Sequence, residues 1–226
     1  MRPTPSSNDS SGMLRTTAGI ALLDVGIGEE PVHMKYEFVR EVVEPLDMYE
    51  LPSADLEPYI ALMITGNVDQ ELLYRERRII RDFLDSGKVV VFSGHLLHQW
   101  LPGAGTFVPK DIRSFRDYGI QIVKPHPIFE GVKAEDLTFR RGVAGFFARG
   151  HNPPPEGAEV LLELAGGEPI VYVDRRSTNG VILAHSGYDL LAHGLDRPYD
   201  DGAPRNTAGR IGPQLLDWIR TEGAGA

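Results

Sequence analysis

An α/β sandwich, with a mostly parallel central sheet and additional antiparallel strands in its C-terminal half, is predicted by three features of the sequence. A strand–helix–strand unit runs from Tyr59 to Phe92, a preceding apolar run from Gly19 to Val25 supplies another buried strand, and the second half alternates short apolar segments with Pro and Gly breaks. Near-continuous apolar strands suit a sheet covered on both faces, whereas short strands separated by turn residues suit antiparallel neighbours.

Taken in order, GIALLDV at Gly19–Val25 reads as the first strand, followed by a loop holding Gly26 and Gly28 and a helical stretch over Val32–Val43. A second short strand is expected at Met48–Leu51, before Pro52. YIALMIT at Tyr59–Thr65 is a third strand and stops at Gly66. Asn67 then stands in an N-cap position, with Gln70 three residues on to complete a capping box. Val68, Leu72, Ile79, Ile80, Phe83 and Leu84 recur at helical spacing, and Arg75, Arg78, Arg81 and Asp82 take the opposite side. Gly87 ends this helix of about five turns, and KVVVF at Lys88–Phe92 returns as a strand, which predicts a right-handed parallel crossover. Pro102, Gly103, Gly105 and Pro109 make Leu101–Lys110 a surface loop. Strands are expected at Ile120–Val123, Phe139–Ala148, Ala158–Leu164, Pro169–Asp174 and Gly180–Ala184, with DRRSTNG at Asp174–Gly180 as a hairpin connection. An amphipathic helix over Ile211–Thr221 offers Leu215, Leu216, Trp218 and Ile219 to the core.

Residues 1–17 are rich in Ser, Pro and Thr and have no apolar face, so they read as a disordered tail, with either Met1 or Met13 as the start; residues 18–222 read as one α/β domain. The Gly-, Pro- and Asp-rich stretch Leu195–Thr207 reads as a surface excursion.

Composition narrows the function. No apolar run approaches the roughly 20 residues of a membrane span, and Ile20–Leu23 is too short for a secretion signal, so a soluble cytoplasmic protein with no membrane partner is expected. The 32 acidic against 23 basic side chains, a net charge of −9, and the lack of a Lys/Arg stripe argue against nucleic acid. With Cys 0 there is no disulfide, no thiolate metal site and no cysteine nucleophile. Gly26-Ile27-Gly28 is followed by Glu29, Glu30 and Pro31 where a phosphate cradle needs bare amides, so no nucleotide or other cofactor is expected. His95 and His98, three apart, could join His185 and Asp189 around a metal such as zinc. No metal-binding spacing supports this, and ordinary polar histidines are the favoured reading, with His126 held structurally between Pro125 and Pro127.

Three landmarks then carry a family resemblance: YIALMITG…FLDSGKVVVFSGH, HPIFEGV at His126–Val132, and GVILAHSG at Gly180–Gly187. In order and spacing they resemble the class I glutamine amidotransferase-like superfamily, including its ThuA-like and other non-glutaminase branches. The resemblance implies a flavodoxin-like three-layer sandwich, a nucleophile turn after Lys88–Phe92 and a catalytic histidine at the end of the Gly180 strand. Here that turn reads Ser93-Gly94-His95 with no cysteine, and His185 is followed by Ser186-Gly187 in place of Pro-Glu. Serine is a poor substitute, because a nucleophile elbow needs small residues two positions either side. Those positions are Val91 and His95 around Ser93, and Phe92 and Leu96 around Gly94. Ser93 is instead expected to cap a short following helix. The resemblance thus implies a domain without glutaminase activity that binds a small molecule or a protein partner, with oligomeric state open. The alternative is a hydrolase using His185 with Ser93, His95 or Asp189. In either case Ser93, His95 and His185 are expected at one rim of the sheet, facing one cavity.

Overall fold

A computed structural model describes residues 19–25, 31–194 and 206–224. The N-terminal tail, Gly26 and Gly28, and all of Leu195–Thr207 except its last two residues therefore lie outside the described residues.

The strands are β1 (Gly19–Asp24), β2 (Val43–Asp47), β3 (Tyr59–Thr65), β4 (Val89–Ser93), β5 (Val108–Pro109), β6 (Ile120–Ile122), β7 (Phe139–Arg140), β8 (Val143–Ala144), β9 (Gly150–His151), β10 (Glu159–Leu164), β11 (Pro169–Asp174) and β12 (Val181–His185). The helices are α1 (Glu37–Arg40), α2 (Gln70–Arg75), α3 (Arg77–Asp85), α4 (Ala134–Thr138) and α5 (Ile211–Gly223). Eight strands form one sheet in the order β2-β1-β3-β4-β12-β11-β10-β6. The first five run parallel, and from β12 through β11 and β10 to β6 the pairing is antiparallel. Two two-stranded ladders, β5 with β9 and β7 with β8, stand beside it. No helix among the described residues is long and apolar enough to cross a membrane.

Period-two alternation distributes the strand residues between two cores. Met63, Val89, Val91 and Leu183 pack on one face with Ile211, Leu215, Trp218 and Ile219 of α5; Leu62, Ile64, Val90, Phe92 and Ile182 pack on the other with Leu72, Leu73, Ile80, Phe83 and Leu84 of α2 and α3. The result is the predicted α/β sandwich, flavodoxin-like, with helices on both faces of a mostly parallel sheet. The reversal at β11–β12 is built by the Asp174 carboxylate, which accepts the Arg176 N–H at 2.8 Å and the Ser177 N–H at 3.3 Å and so closes an Asx turn.

Several local expectations need correction. The helix after β3 starts at Gln70, because Asp69, not Asn67, accepts the Glu71 and Leu72 N–H groups, each at 3.0 Å. It is also broken into α2 and α3 at Glu76, whose ψ of 16° leaves the helical region. The stretch Val32–Val43 holds only a 3₁₀ turn at Val32–Lys35 and the single turn of α1. β2 ends at Asp47, whose carboxylate caps a 3₁₀ turn over Met48–Ser53, so the strand precedes Met48 instead of starting there. The expected Phe139–Ala148 strand is the small β7–β8 hairpin, turning through Arg141 (φ 49°) and Gly142 (φ 77°), followed by irregular chain. No helix follows β4: residues 94–100 run as irregular chain, so Ser93 caps nothing.

Candidate active site

The parallel strands deliver their carboxyl ends to one edge, where loops diverge and open α/β sheets hold ligands. Here the ends of β1, β3 and β4, together with the segments after β8 and β12, enclose a crevice of about 620 Å³. Asp24, Thr65, Asn67, Ser93, His95 and Arg149 contribute polar groups to its lining, joined by His33 and Asp189 on the wall. Its inner end is closed by main chain against main chain. A Cβ on Gly94 would stand 2.5 Å from the Gly66 Cα, so only glycine lets the turns after β3 and β4 touch. The Gly94 N–H donates to the His185 carbonyl at 2.9 Å and locks the turn to β12.

Ser93 and His185 are register partners across β4 and β12. No hydrogen bond joins their side chains. The Ser93 hydroxyl is buried and accepts the Leu190 N–H at 3.3 Å. His185 is 0% exposed, its ring packs 4.4 Å from that of Phe147, and neither ring nitrogen has a hydrogen-bond partner among the described residues. Burial pushes its pKa down to about 3, and His193 acts in the same direction. The main chain of Phe147 and Tyr188 lies close enough to oppose the shift without reaching hydrogen-bond geometry. His193, edge-on to the same Phe147 ring at 4.9 Å, is pushed down to about 4 by burial and by Arg140. Both imidazoles are therefore neutral at physiological pH.

His95 does line the crevice. It is exposed, stacks on Phe107 at 3.6 Å, and has its pKa lowered by partial burial and then by Arg149. His98 turns away to Tyr74, 6.0 Å ring to ring. His95, His98 and His185 do not converge, and among the described residues no group of three or more His, Cys, Asp or Glu side chains could hold a metal ion. His126 is structural: its ring accepts the Ile128 N–H at 3.4 Å and meets Trp218 edge-on.

Two buried amides decide the shape of the segment after β4. Asn152, 0% exposed, accepts the Leu96 N–H at 3.0 Å and donates to the Gly94 carbonyl at 2.9 Å; its own N–H donates to the Ser186 hydroxyl at 2.7 Å. Gln70 donates to the His95 carbonyl at 2.8 Å and accepts from the Leu97 N–H at 2.9 Å and the Trp100 indole at 3.1 Å. Main-chain groups that a helix would pair internally are thus held by side chains, and no strand-to-helix elbow forms. Neither amide carries a sequence signal for this role, since each acts on chain far from its own position.

Asp189 is paired with His33, a residue the sequence did not single out. The His33 Nε2 and Asp189 Oδ2 hydrogen-bond, and the Asp189 Oδ1 accepts the Leu191 N–H at 3.0 Å. Burial raises the Asp189 pKa against the opposing charge of His33.

No protein-family model matches the chain, and no curated protein matches it by sequence. A solved protein from Thermoplasma acidophilum, provisionally described as one of the GMP synthase subunits, superposes with a TM-score of 0.52 at 13% identity, covering 92% of this chain and 94% of that one. This likeness shows that the chain shares that protein's fold, here an α/β sandwich around a mostly parallel eight-stranded sheet. A cytoplasmic protein from Salmonella typhimurium LT2 reaches 0.49 at 11% identity over 90% of this chain and 98% of that one. A glutamine amidotransferase from Methylobacillus flagellatus reaches 0.37 at 13% over 91% and 90%. At these scores neither adds to the argument.

Proposed function

We propose that this chain is a non-glutaminase, ThuA-like amidotransferase-type domain whose crevice binds a small molecule. The observation that carries the reading is the crevice at the carboxyl ends of the parallel strands, lined by polar groups of both signs and floored by Ser93, with His185 sealed beside it. Arg149 and His95 can meet an anionic group, Asn67 and Thr65 can give and take hydrogen bonds, and the half-exposed rings of Phe146 and Tyr188 offer apolar surface at the same crevice.

Acyl transfer through a covalent enzyme intermediate has no support. Cysteine is absent, the Ser93 hydroxyl is occupied by Leu190, and His185 neither hydrogen-bonds Ser93 nor reaches solvent. A thermal-shift screen of small metabolites tests the proposal, read on the wild type and on Arg149→Ala and Asn67→Ala. The expected result is a ligand that raises the melting temperature of the wild type and is weakened at least about tenfold, roughly 1.4 kcal/mol, by one of these substitutions. Glutamine-dependent ammonia release that is lost in Ser93→Ala would contradict it.

A further inference from the structure

Among the described residues that line the crevice, Arg149 is the one Arg or Lys. His95 has its pKa lowered by partial burial and by that same guanidinium, so it offers a neutral donor or acceptor and no charge. The Arg149 Nε donates to the Gly145 carbonyl at 2.9 Å, and its guanidinium carbon lies 5.9 Å from the Tyr118 ring centre, which orients the head. No carboxylate among the described residues pairs with it, in a chain that carries 32 acidic side chains. Its two terminal nitrogens match the two oxygens of one incoming carboxylate. The second observation is apolar. Leu97, Phe146 and Tyr188 are 63%, 46% and 48% exposed and line the same crevice, so three of the nine large hydrophobic side chains left exposed among the described residues gather here. Single exposed apolar residues are ordinary, whereas a cluster at a cavity marks a binding surface. A volume of about 620 Å³ suits a small organic ligand.

We propose that the crevice takes a small aromatic carboxylate, its carboxyl group paired with the Arg149 guanidinium and its ring set against Phe146, Tyr188 and Leu97. The proposal rests on the crevice being a small-molecule site and names what that site selects. Two aromatic side chains favour a flat aromatic body over an alkyl chain, because ring pairs gain from offset or edge-on contact beyond the area they bury. Charge favours a carboxylate over a phosphate. One guanidinium balances one negative charge, and Asp24 and Asp189 on the same lining oppose a second.

The test is an NMR titration of the intact chain, read at the main-chain amides of the crevice, with phenylpropionate, phenylpropionamide, hexanoate and phenyl phosphate. Phenylpropionate is expected to bind with a Kd of about 1 mM or tighter. The amide, hexanoate and phenyl phosphate should each bind at least about tenfold more weakly. Arg149→Gln should weaken phenylpropionate at least about tenfold and leave the amide within about twofold, a split that a merely loosened turn would not produce. Leu97→Ser should weaken acid and amide alike, and Arg78→Gln, on α3 outside the crevice, should change neither. Equal affinity for acid and amide, or an unchanged acid affinity in Arg149→Gln, would overturn the ion pair. Hexanoate or phenyl phosphate binding as tightly as phenylpropionate would overturn the aromatic carboxylate. If Arg149→Gln does not fold, the comparison of acid with amide on the wild type decides. If no probe shifts the crevice amides, the proposal fails; the small-molecule reading then stands if the thermal-shift screen yields a ligand weakened by Asn67→Ala, and falls if it yields none.

Discussion

His185 and His33 stand at the same end of the sheet in opposite circumstances. His185 ends a central strand, is sealed among Phe147, His193 and main chain, and is held neutral by desolvation. His33 comes after β1, one strand in from the sheet edge, on a short 3₁₀ turn, lines the crevice and is paired with a carboxylate. The landmark that resembles a catalytic strand end lies buried beneath the crevice, while the paired His33 and Asp189 stand on its wall. A motif position therefore reports where a chain passes and says little about what the side chain there does.

That contrast can be broken at the floor first. Gly187 lets the chain after His185 cross the Phe147 main chain, and a Cβ there would stand 1.8 Å from the Phe147 carbonyl oxygen. Gly187→Ala should destabilise by about 4 kcal/mol or more, read by urea denaturation, since backbone has to shift on both sides. A loss under about 1 kcal/mol would show the floor to be loose.

Acid supplies the next test. His185 and His193 have folded pKa values of about 3 and about 4, below the unfolded value near 6.5. Their neutral forms are compatible with the fold, so their contribution is intact above pH 6.5 and is lost as pH falls toward the folded values. Between pH 7 and 5 each should lower stability by about 2 kcal/mol, through preferential protonation of the unfolded chain. His185→Phe should flatten about half of this dependence. An unchanged pH profile in that variant would mean that His185 takes up its proton in the folded state.

A smaller effect is expected at Gln70, which holds the segment carrying His95 by three hydrogen bonds. Gln70→Ala should cost about 2–3 kcal/mol in thermal or urea melts and weaken ligand binding more than it weakens the fold elsewhere. Ser93→Ala should be the mildest change, within about 1 kcal/mol and without effect on binding, because it removes one long hydrogen bond to Leu190.

The sheet was largely legible because its signal is local: GIALLDV, YIALMIT and KVVVF are apolar throughout, and each forms a strand within a residue or two of its expected place. The helix after β3 was legible in its apolar face but misplaced at its start, since Asn67 and Asp69 are both competent caps and only the fold selects between them. The irregular chain after Ser93 was not legible, because Asn152 and Gln70 impose it from distant positions. His33 escaped notice for the same reason: its significance arises from Asp189, and nothing around VHMK announces it. Of the residues singled out for the site, exposed His95 and largely buried Asp189 line the crevice wall, whereas Ser93 is buried at its floor and His185 is sealed behind it.

Histidine footprinting of the native protein with diethylpyrocarbonate, read by peptide mass spectrometry, tests the separation of floor from wall most directly. Exposed His95 should be modified readily, while His185 and His193 should stay protected until the chain is unfolded. Native modification of His185 at a rate comparable to His95 would contradict this, placing His185 in the crevice and restoring the hydrolase arrangement with Ser93.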